Sequence, residues 1–241
     1  MISMKEKIEK IKRVFTHWNK NKGIHSYSQC GEDTIINFLV KATKLQKWTW
    51  IDIGAHHPKY LSNTAMFYKN GIHGINIDAD PQLMKKFYQK RKKDINLNIA
   101  ISDKTETMDF YIMDIPTLNT LSKEEAHRYE SVGHKIKKVI QIEGLTITDV
   151  VNKYCNGIFP NLLLLDAEGC DLQILKTILW SGSIPKIICV ENVPYTPNIK
   201  NYFDTMQKNE LTNYLQNKGY SIYAFTGINT IFVHNDFLKN A

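Results

Sequence analysis

Arginine is nearly absent from this 241-residue chain, standing only at Arg13, Arg91 and Arg128 although the formal charge is +7. Lysine supplies almost all of the positive charge. The guanidinium fork is the group that reads phosphates and base edges in bidentate fashion. The abundance of Lys, Asn and Ile therefore reads as compositional bias, and no nucleic-acid partner is expected. Cysteine is sparse and scattered: Cys30, Cys155, Cys170 and Cys189 include no CxxC pair. That excludes the common zinc and dithiol-redox spacings and points to a reducing compartment, the cytoplasm. No apolar run reaches the roughly eighteen residues that a membrane-crossing helix needs, and the N-terminus has no apolar signal core.

What remains is an ordinary globular balance. The apolar share is 43% and the charged share 23%, enough to fill one sizeable core without the signature of disorder. Residues 1–24 read as an extension. There KEKIEKIKRVFTHW sets Ile8, Ile11, Val14, Phe15 and Trp18 at helical spacing among lysines. That pattern suits a helix packed on its own domain or on a partner, and also one lying on a membrane surface. Residues 25–241 read as one domain.

Within that domain, apolar runs alternate with amphipathic stretches. Ser28 or Gly31 opens a helix whose first turn holds Glu32 and Asp33. Trp48 to Ile53 is a buried strand, and SNTAMFYKNG is a helix capped by Ser62 or Asn63 and stopped by Gly71. HGINIDAD is a second strand, PQLMKKFYQKRKK a helix begun by Pro81, and INLNIAISD a third strand. TETMDFYIMD reads as an extra strand. Residues 115–140 form a polar, irregular insertion with a short helix at KEEAHRYES, and VIQIEGLTITDVVNKY gives a short strand and a helix. NLLLLDAEG and PKIICVEN are the fourth and fifth buried strands, separated by the helix DLQILKTILW. NYFDTMQKNELTNYLQNKG is a further helix, and YSIYAFTG with NTIFVH forms a terminal hairpin. This alternation predicts an α/β fold, a parallel sheet with helices on both faces. Such sheets bind ligands at the carboxyl ends of their strands, near the switch point. Those ends carry Asp52 to Gly54, Asp78, Ser102 with Asp103, Asp166 to Glu168, and Glu191 with Asn192.

Asp78 lies 24 residues beyond Gly54, where an acid accepts both ribose hydroxyls of an adenosine cofactor. The other reading is a helix cap, a role that Asp80 suits better. The loop before it separates the cofactors. A pyrophosphate needs GxGxxG so that the backbone can approach it. DIGAHHP offers Gly54 alone, followed by histidines and a proline. S-adenosylmethionine (SAM) carries no phosphate, so this loop favours SAM over NAD or FAD.

Taken in order, YSQCGEDTII, WIDIGAHHPKYLSNTAMFYKNGIHGINIDADP, INLNIAISD, NTLSKEEA, LLLLDAEGCDLQILK and IICVEN cover about residues 25–195. Together they resemble the FkbM family of SAM-dependent methyltransferases. The resemblance implies the Rossmann-like class I methyltransferase fold, a mostly parallel seven-stranded sheet with a C-terminal antiparallel hairpin. It implies methyl transfer to a hydroxyl, often of a sugar in a polysaccharide or secondary metabolite. It also implies a cofactor site: Asp52, Gly54, Ala55 and His56 in the loop, Gln29 and Asn63 at the methionine end, Asp78 and Ala79 at the ribose, Ser102 and Asp103 beside the adenine.

On the same resemblance Asp166 becomes a cofactor neighbour and the first candidate for general base or metal ligand, and Glu168 a substrate or cofactor contact. Strand-end carboxylates also serve as plain helix caps. Asp166, Glu191 and Asn192 look like the oxygen set that holds Mg²⁺ in catechol O-methyltransferase-type enzymes. His56 and His57 are loop neighbours, unlike the i,i+4 pair of a zinc site. They are plain loop residues or, for His57, a general base. The lysines suit an anionic acceptor, with Lys123, His127, Arg128 and His134 of the insertion facing it. A homo-oligomer is compatible with the sequence. The competing reading is a Rossmann-like NAD-dependent oxidoreductase or nucleotide-sugar binding protein. A third is a non-catalytic adapter that docks through the N-terminal helix.

Overall fold

The computed structural model describes residues 23–167, 169–192 and 209–239. The expected N-terminal helix, Glu168 and the first half of the helix expected from Asn201 lie outside these residues. The main sheet is built from β1 (Trp50–Ile53), β2 (Ile75–Ile77), β3 (Ile95–Leu97), β7 (Leu162–Leu165), β8 (Ile187–Glu191), β9 (Tyr220–Phe225) and β10 (Asn229–His234). Their order is β3-β2-β1-β7-β8-β10-β9. The first five run parallel, and β10 is antiparallel to both β8 and β9. The chain reverses its winding between β1 and β7, so this is the switch point where such sheets open a crevice.

Side-chain alternation along each strand makes two cores. Ile51 and Ile53, Leu163 and Leu165, Ile188 and Val190, and Phe232 face one side. There they meet α5 (Ile147–Cys155), α6 (Asp171–Lys176) and α7 (Glu210–Asn217). Trp50, Leu162 and Leu164, Ile187 and Cys189, and Ile231 and Val233 face the other side. They meet α1 (Glu32–Ala42) and α2 (Ala65–Lys69). Strands apolar on both faces are what a sheet covered by helices on both sides requires. Asp52 interrupts that pattern in β1, and at 6% exposure it has no ready access to water.

The structure departs from the sequence reading in four places. INLNIAISD is not one strand. It breaks at Asn98, whose side-chain amide donates to the carbonyls of Asp78 and Ala79 at 2.9 and 3.0 Å. Beyond the break β4 (Ala100–Ile101) joins a second sheet, ordered β4-β6-β5. There β5 (Glu106–Met113) and β6 (Ile136–Leu145) form a long antiparallel hairpin, with α4 (Lys123–Ser131) in its connection. β6 starts inside the segment expected to be irregular, because its outer half carries exposed lysines that hide the strand pattern. α2 is capped by neither Ser62 nor Asn63; Thr64 precedes it and turns its hydroxyl to Asp52 at 2.9 Å. α8 (Asn235–Lys239) closes the described chain without having been expected. Among the described residues no helix is long and apolar enough to cross a membrane.

A polar seam runs through the α1–α2 side and centres on Arg91, which follows α3 (Pro81–Lys90) and is 1% exposed. Its Nε donates to Asp94 Oδ2 at 2.8 Å, Nη1 to the Pro58 carbonyl at 3.1 Å and Nη2 to Thr64 Oγ1 at 3.1 Å. The guanidinium also lies 4.5 Å from the centre of the Tyr68 ring. Asp94 in turn accepts from the Gly74 N–H and from Asn76 Nδ2. All three guanidinium nitrogens and both Asp94 oxygens are hydrogen-bonded, which is the condition for burying charge at all. Replacing Arg91 with Met leaves the Asp94 carboxylate buried without its cation. The expected loss is about 3–5 kcal/mol in urea unfolding. Arg91→Lys recovers only part of it, because an ammonium cannot span Asp94, Pro58 and Thr64 together. A loss under about 1 kcal/mol for Arg91→Met would contradict this account.

Candidate active site

Gly54 ends β1 where the sheet opens. Its N–H and that of Ala55 both donate to the Ile77 carbonyl at 3.0 Å, and the Asp166 N–H donates to Ile53 at 3.1 Å. The ends of β2, β1 and β7 are thereby locked together. Gly54 has φ +73°, and a Cβ at this position would collide with the Asp166 backbone carbonyl. Only glycine allows the close approach. The next residues form a strap. His56 and Leu61 both adopt left-handed backbone, φ +54° and +50°. The His56 N–H donates to Asp78 Oδ2 at 2.9 Å, and His57 Nδ1 accepts from the N–H groups of Lys59 and Tyr60 at 3.1 and 2.9 Å.

The strap, the strand ends and the hairpin connection enclose a cleft of about 410 Å³, within the usual range for small-molecule sites of about 300–1,000 Å³. Asp52, Gly54, Ala55, His56, Asn63, Asp78, Ala79, Asp166, Gln29 and Glu191 all line it. The structure brings these sequence candidates together. It does not bring the others. Ser102 is buried and its hydroxyl donates to the Lys104 carbonyl at 2.6 Å, while Asp103 is exposed; Ile101 lines the cleft in their place. His57 serves the strap, outside the lining. Lys123, His127, Arg128 and His134 do not line the cleft either; the last three pair with Glu130, Glu125 and Asp114.

Asn192 follows β8 and is buried, and its Oδ1 accepts no hydrogen bond from the described residues. Its Nδ2 donates to Thr212 and Thr230 at 2.8 and 3.2 Å, and it borders a separate depression on the α7 side. Asp166, Glu191 and Asn192, the oxygen set expected from the sequence, stand at the ends of β7 and β8. Among the described residues no group of three His, Cys, Asp or Glu is placed to hold a metal ion.

Acids dominate the electrostatics. Burial pushes Asp52 up to about 7, against the opposing effects of the Thr64 hydrogen bond and the Arg91 charge. Burial likewise pushes Asp78 up to about 6, although its two oxygens accept from Asp80 and His56 N–H groups. Asp166 opens onto the cleft, yet protein crowds it closely. Desolvation first and the neighbouring Glu191 second push it up to about 8. Like charges that share a site cannot both ionise easily, so this pair holds a proton near neutral pH. His56 is shifted the other way, below the ordinary imidazole value, by burial and then by Lys86.

Two further contributors escaped the sequence reading. Glu32 is wholly buried and accepts from Thr226 Oγ1 at 2.6 Å, Asn229 Nδ2 at 3.0 Å and the Cys30 N–H at 2.9 Å. It ties the turn carrying Gln29 to the hairpin turn, whose Ile228 and Asn229 also line the cleft. Asp33 gathers Ser26 Oγ, Ser28 Oγ and the Tyr27 N–H at 2.7 to 2.9 Å. The signal in the sequence is SYSQCGED, where two acids in a first turn do more than complement the helix dipole.

The methyltransferase FkbM domain matches residues 52–222. The chain belongs to the FkbM methyltransferase family. No curated protein matches it. Among solved structures it is similar to a Staphylococcus aureus protein provisionally named a caffeoyl-CoA O-methyltransferase, at 9% identity, TM-score 0.45, and 94% and 91% of the two chains covered. It is also similar to a TehB-like SAM-dependent methyltransferase from Corynebacterium glutamicum, at 9% identity, TM-score 0.39, and 97% and 100% covered. The FkbM match begins at Asp52, so the turn with Gln29 and the buried Glu32 lie N-terminal to the matched region.

Asp52 gives this FkbM domain a measurable pH signature. The folded carboxyl holds its proton up to about 7, whereas an unfolded one releases it near 4. Its contribution to stability is full below about pH 4 and is lost as pH rises through about 7. Asp52→Asn removes that dependence. The melting temperature of the variant relative to the original protein should rise between pH 5 and pH 8. A difference that stays constant across that range would show that Asp52 does not titrate there.

Proposed function

We propose that this protein is a SAM-dependent O-methyltransferase acting in the cytoplasm on a hydroxyl of a sugar or glycan precursor. One observation carries the reading: a carboxylate suited to a ribose, Asp78, and a proton-holding pair, Asp166 with Glu191, line the same cleft. Asp78 spends one lone pair of each oxygen on a backbone N–H, which leaves each oxygen free to accept a ribose hydroxyl. Ala79, Leu83, Ala100, Ile101 and Phe110 supply an apolar wall for a nucleobase. Gln29 and Asn63 offer side-chain amides for the polar amino-acid end. The family resemblance supports a sugar hydroxyl as acceptor, and the +7 charge an anionic one.

SAM, when bound, supplies a methyl group already activated by its sulfonium. The chain's own work is then to align the acceptor hydroxyl and take its proton. The Asp166–Glu191 pair is the base in this reading: near neutrality one member is ionised, and above about 8 both are. His57 has no part in it, since its Nδ1 already accepts two backbone N–H groups.

Mass spectrometry of candidate capsular or lipopolysaccharide sugars incubated with SAM should find an acceptor that gains one methyl. S-adenosylhomocysteine should raise the melting temperature; stabilisation by NAD alone would overturn the reading in favour of an oxidoreductase. Asp166→Asn should lower kcat about 10²–10⁴-fold while changing S-adenosylhomocysteine affinity only a few-fold. In the original protein, activity should climb with pH towards about 8, as the pair gives up its proton. A flat profile together with an active Asp166→Asn variant would remove Asp166 from the role of base.

A further inference from the structure

The inserted hairpin divides in two at the cleft. Its connection from Pro116 to Ser122 contributes to the lining, whereas α4 and β6 do not. Leu121 packs with Ala79 against Ala100 and Phe110, so the connection stands at the β2 and β4 end. Sheet order puts β2 and β8 on opposite sides of the β1–β7 pair. The connection therefore lies on the β2 side of the cleft, across the β1–β7 pair from the strand that carries Glu191.

One side chain fastens it there. Asn119 Oδ1 accepts from the Met113 N–H at 2.8 Å, and Asn119 Nδ2 donates to Asp80 Oδ2 at 2.9 Å. A backbone N–H can only donate and a carboxylate only accept, so the amide has a single workable orientation. Asp80 uses its other oxygen to cap α3, accepting from Gln82 at 2.7 Å, and its own N–H donates to Asp78 Oδ1 at 2.8 Å. Thr120 exchanges both backbone hydrogen bonds with Tyr111 and fixes the return of the loop. The connection is bolted through one amide and one carboxylate to the residue that would face the ribose.

We propose that residues 116–122 are the wall over the nucleobase of the bound cofactor, and that Asn119 is the positioning residue that sets cofactor affinity. The insertion then serves the cofactor and does not select the acceptor. This inference rests on the adenosine-cofactor reading above and extends it to a segment that reading leaves without a role.

The test is calorimetric titration of the full chain with S-adenosylhomocysteine and, separately, with adenosine. Asn119→Ala should weaken both about tenfold or more, the worth of a hydrogen bond to a charged group. It should leave the KM for the acceptor nearly unchanged. Leu121→Ala thins the same wall without touching the latch, and should weaken adenosine several-fold even if Asn119→Ala folds poorly. Unaltered adenosine affinity in both variants, with a raised acceptor KM, would overturn the proposal and return the insertion to substrate recognition. An original protein that binds adenosine but not S-adenosylhomocysteine would sink the methyltransferase reading alone, and the adenosine comparison would still decide the role of Asn119. Binding of neither would overturn both.

Discussion

Arg91 is sealed from water, and its three donors decide where one wall of the cleft stands. It grips the strap through the Pro58 carbonyl, the start of α2 through Thr64, and the turn before β3 through Asp94. The strap needs such a grip. Left-handed backbone at a residue other than glycine costs about 1–2 kcal/mol, and it persists only where surroundings over-determine it. His56 and Leu61 both carry this cost. The Asp78 carboxylate holds the strap at its start, His57 Nδ1 in its middle, and Arg91 behind it. Asn63 and His56 reach the cleft because the strap cannot relax.

The strand ends concentrate acids whose charged forms the fold disfavours. Asp52, Asp78 and Asp166 are all pushed up, with desolvation the largest cause each time. Glu32 shows the contrast. Burial pushes it up as well, but bonds from Thr226, Asn229 and the Cys30 backbone outweigh that and leave it below the ordinary range. Acids that hold the structure together are thus supplied with donors. Asp52, Asp78 and Asp166 accept too few hydrogen bonds to offset their burial, and groups poised in this way are where ligands and proton transfer are accommodated.

The sheet was readable because β7 and β8 are apolar on both faces and β1 is broken only by Asp52, and because Gly54, Asp78 and Asp166 fall at carboxyl ends. Their convergence on one cleft follows from strand order alone. The side-chain hub was harder to see. In a chain that uses lysine almost everywhere, a retained arginine marks a place where a planar, three-way donor is required; scarcity was the signal at Arg91. Asn98 misled for a related reason. A short amide reads as a strand continuing, and only tertiary contacts reveal that this one breaks it. The lysines of β6 hid a strand because an exposed edge sheet does not need an apolar outer face.

The two ends of the cleft have different origins in the chain. The nucleobase wall comes from an insertion between β4 and β6, held to α3 by Asn119. The opposite end is made by Gln29 near the start of the described chain and by Ile228 and Asn229 near its finish, clamped by Glu32 across 197 residues of sequence. Loops tolerate change better than the elements that carry them. Asp78, Asp80 and Asn119 are joined by their own hydrogen bonds at the other end. If the adenosine lies at the β2 side, the end that Gln29, Ile228 and Asn229 line is left for the amino-acid part of the cofactor and for the acceptor.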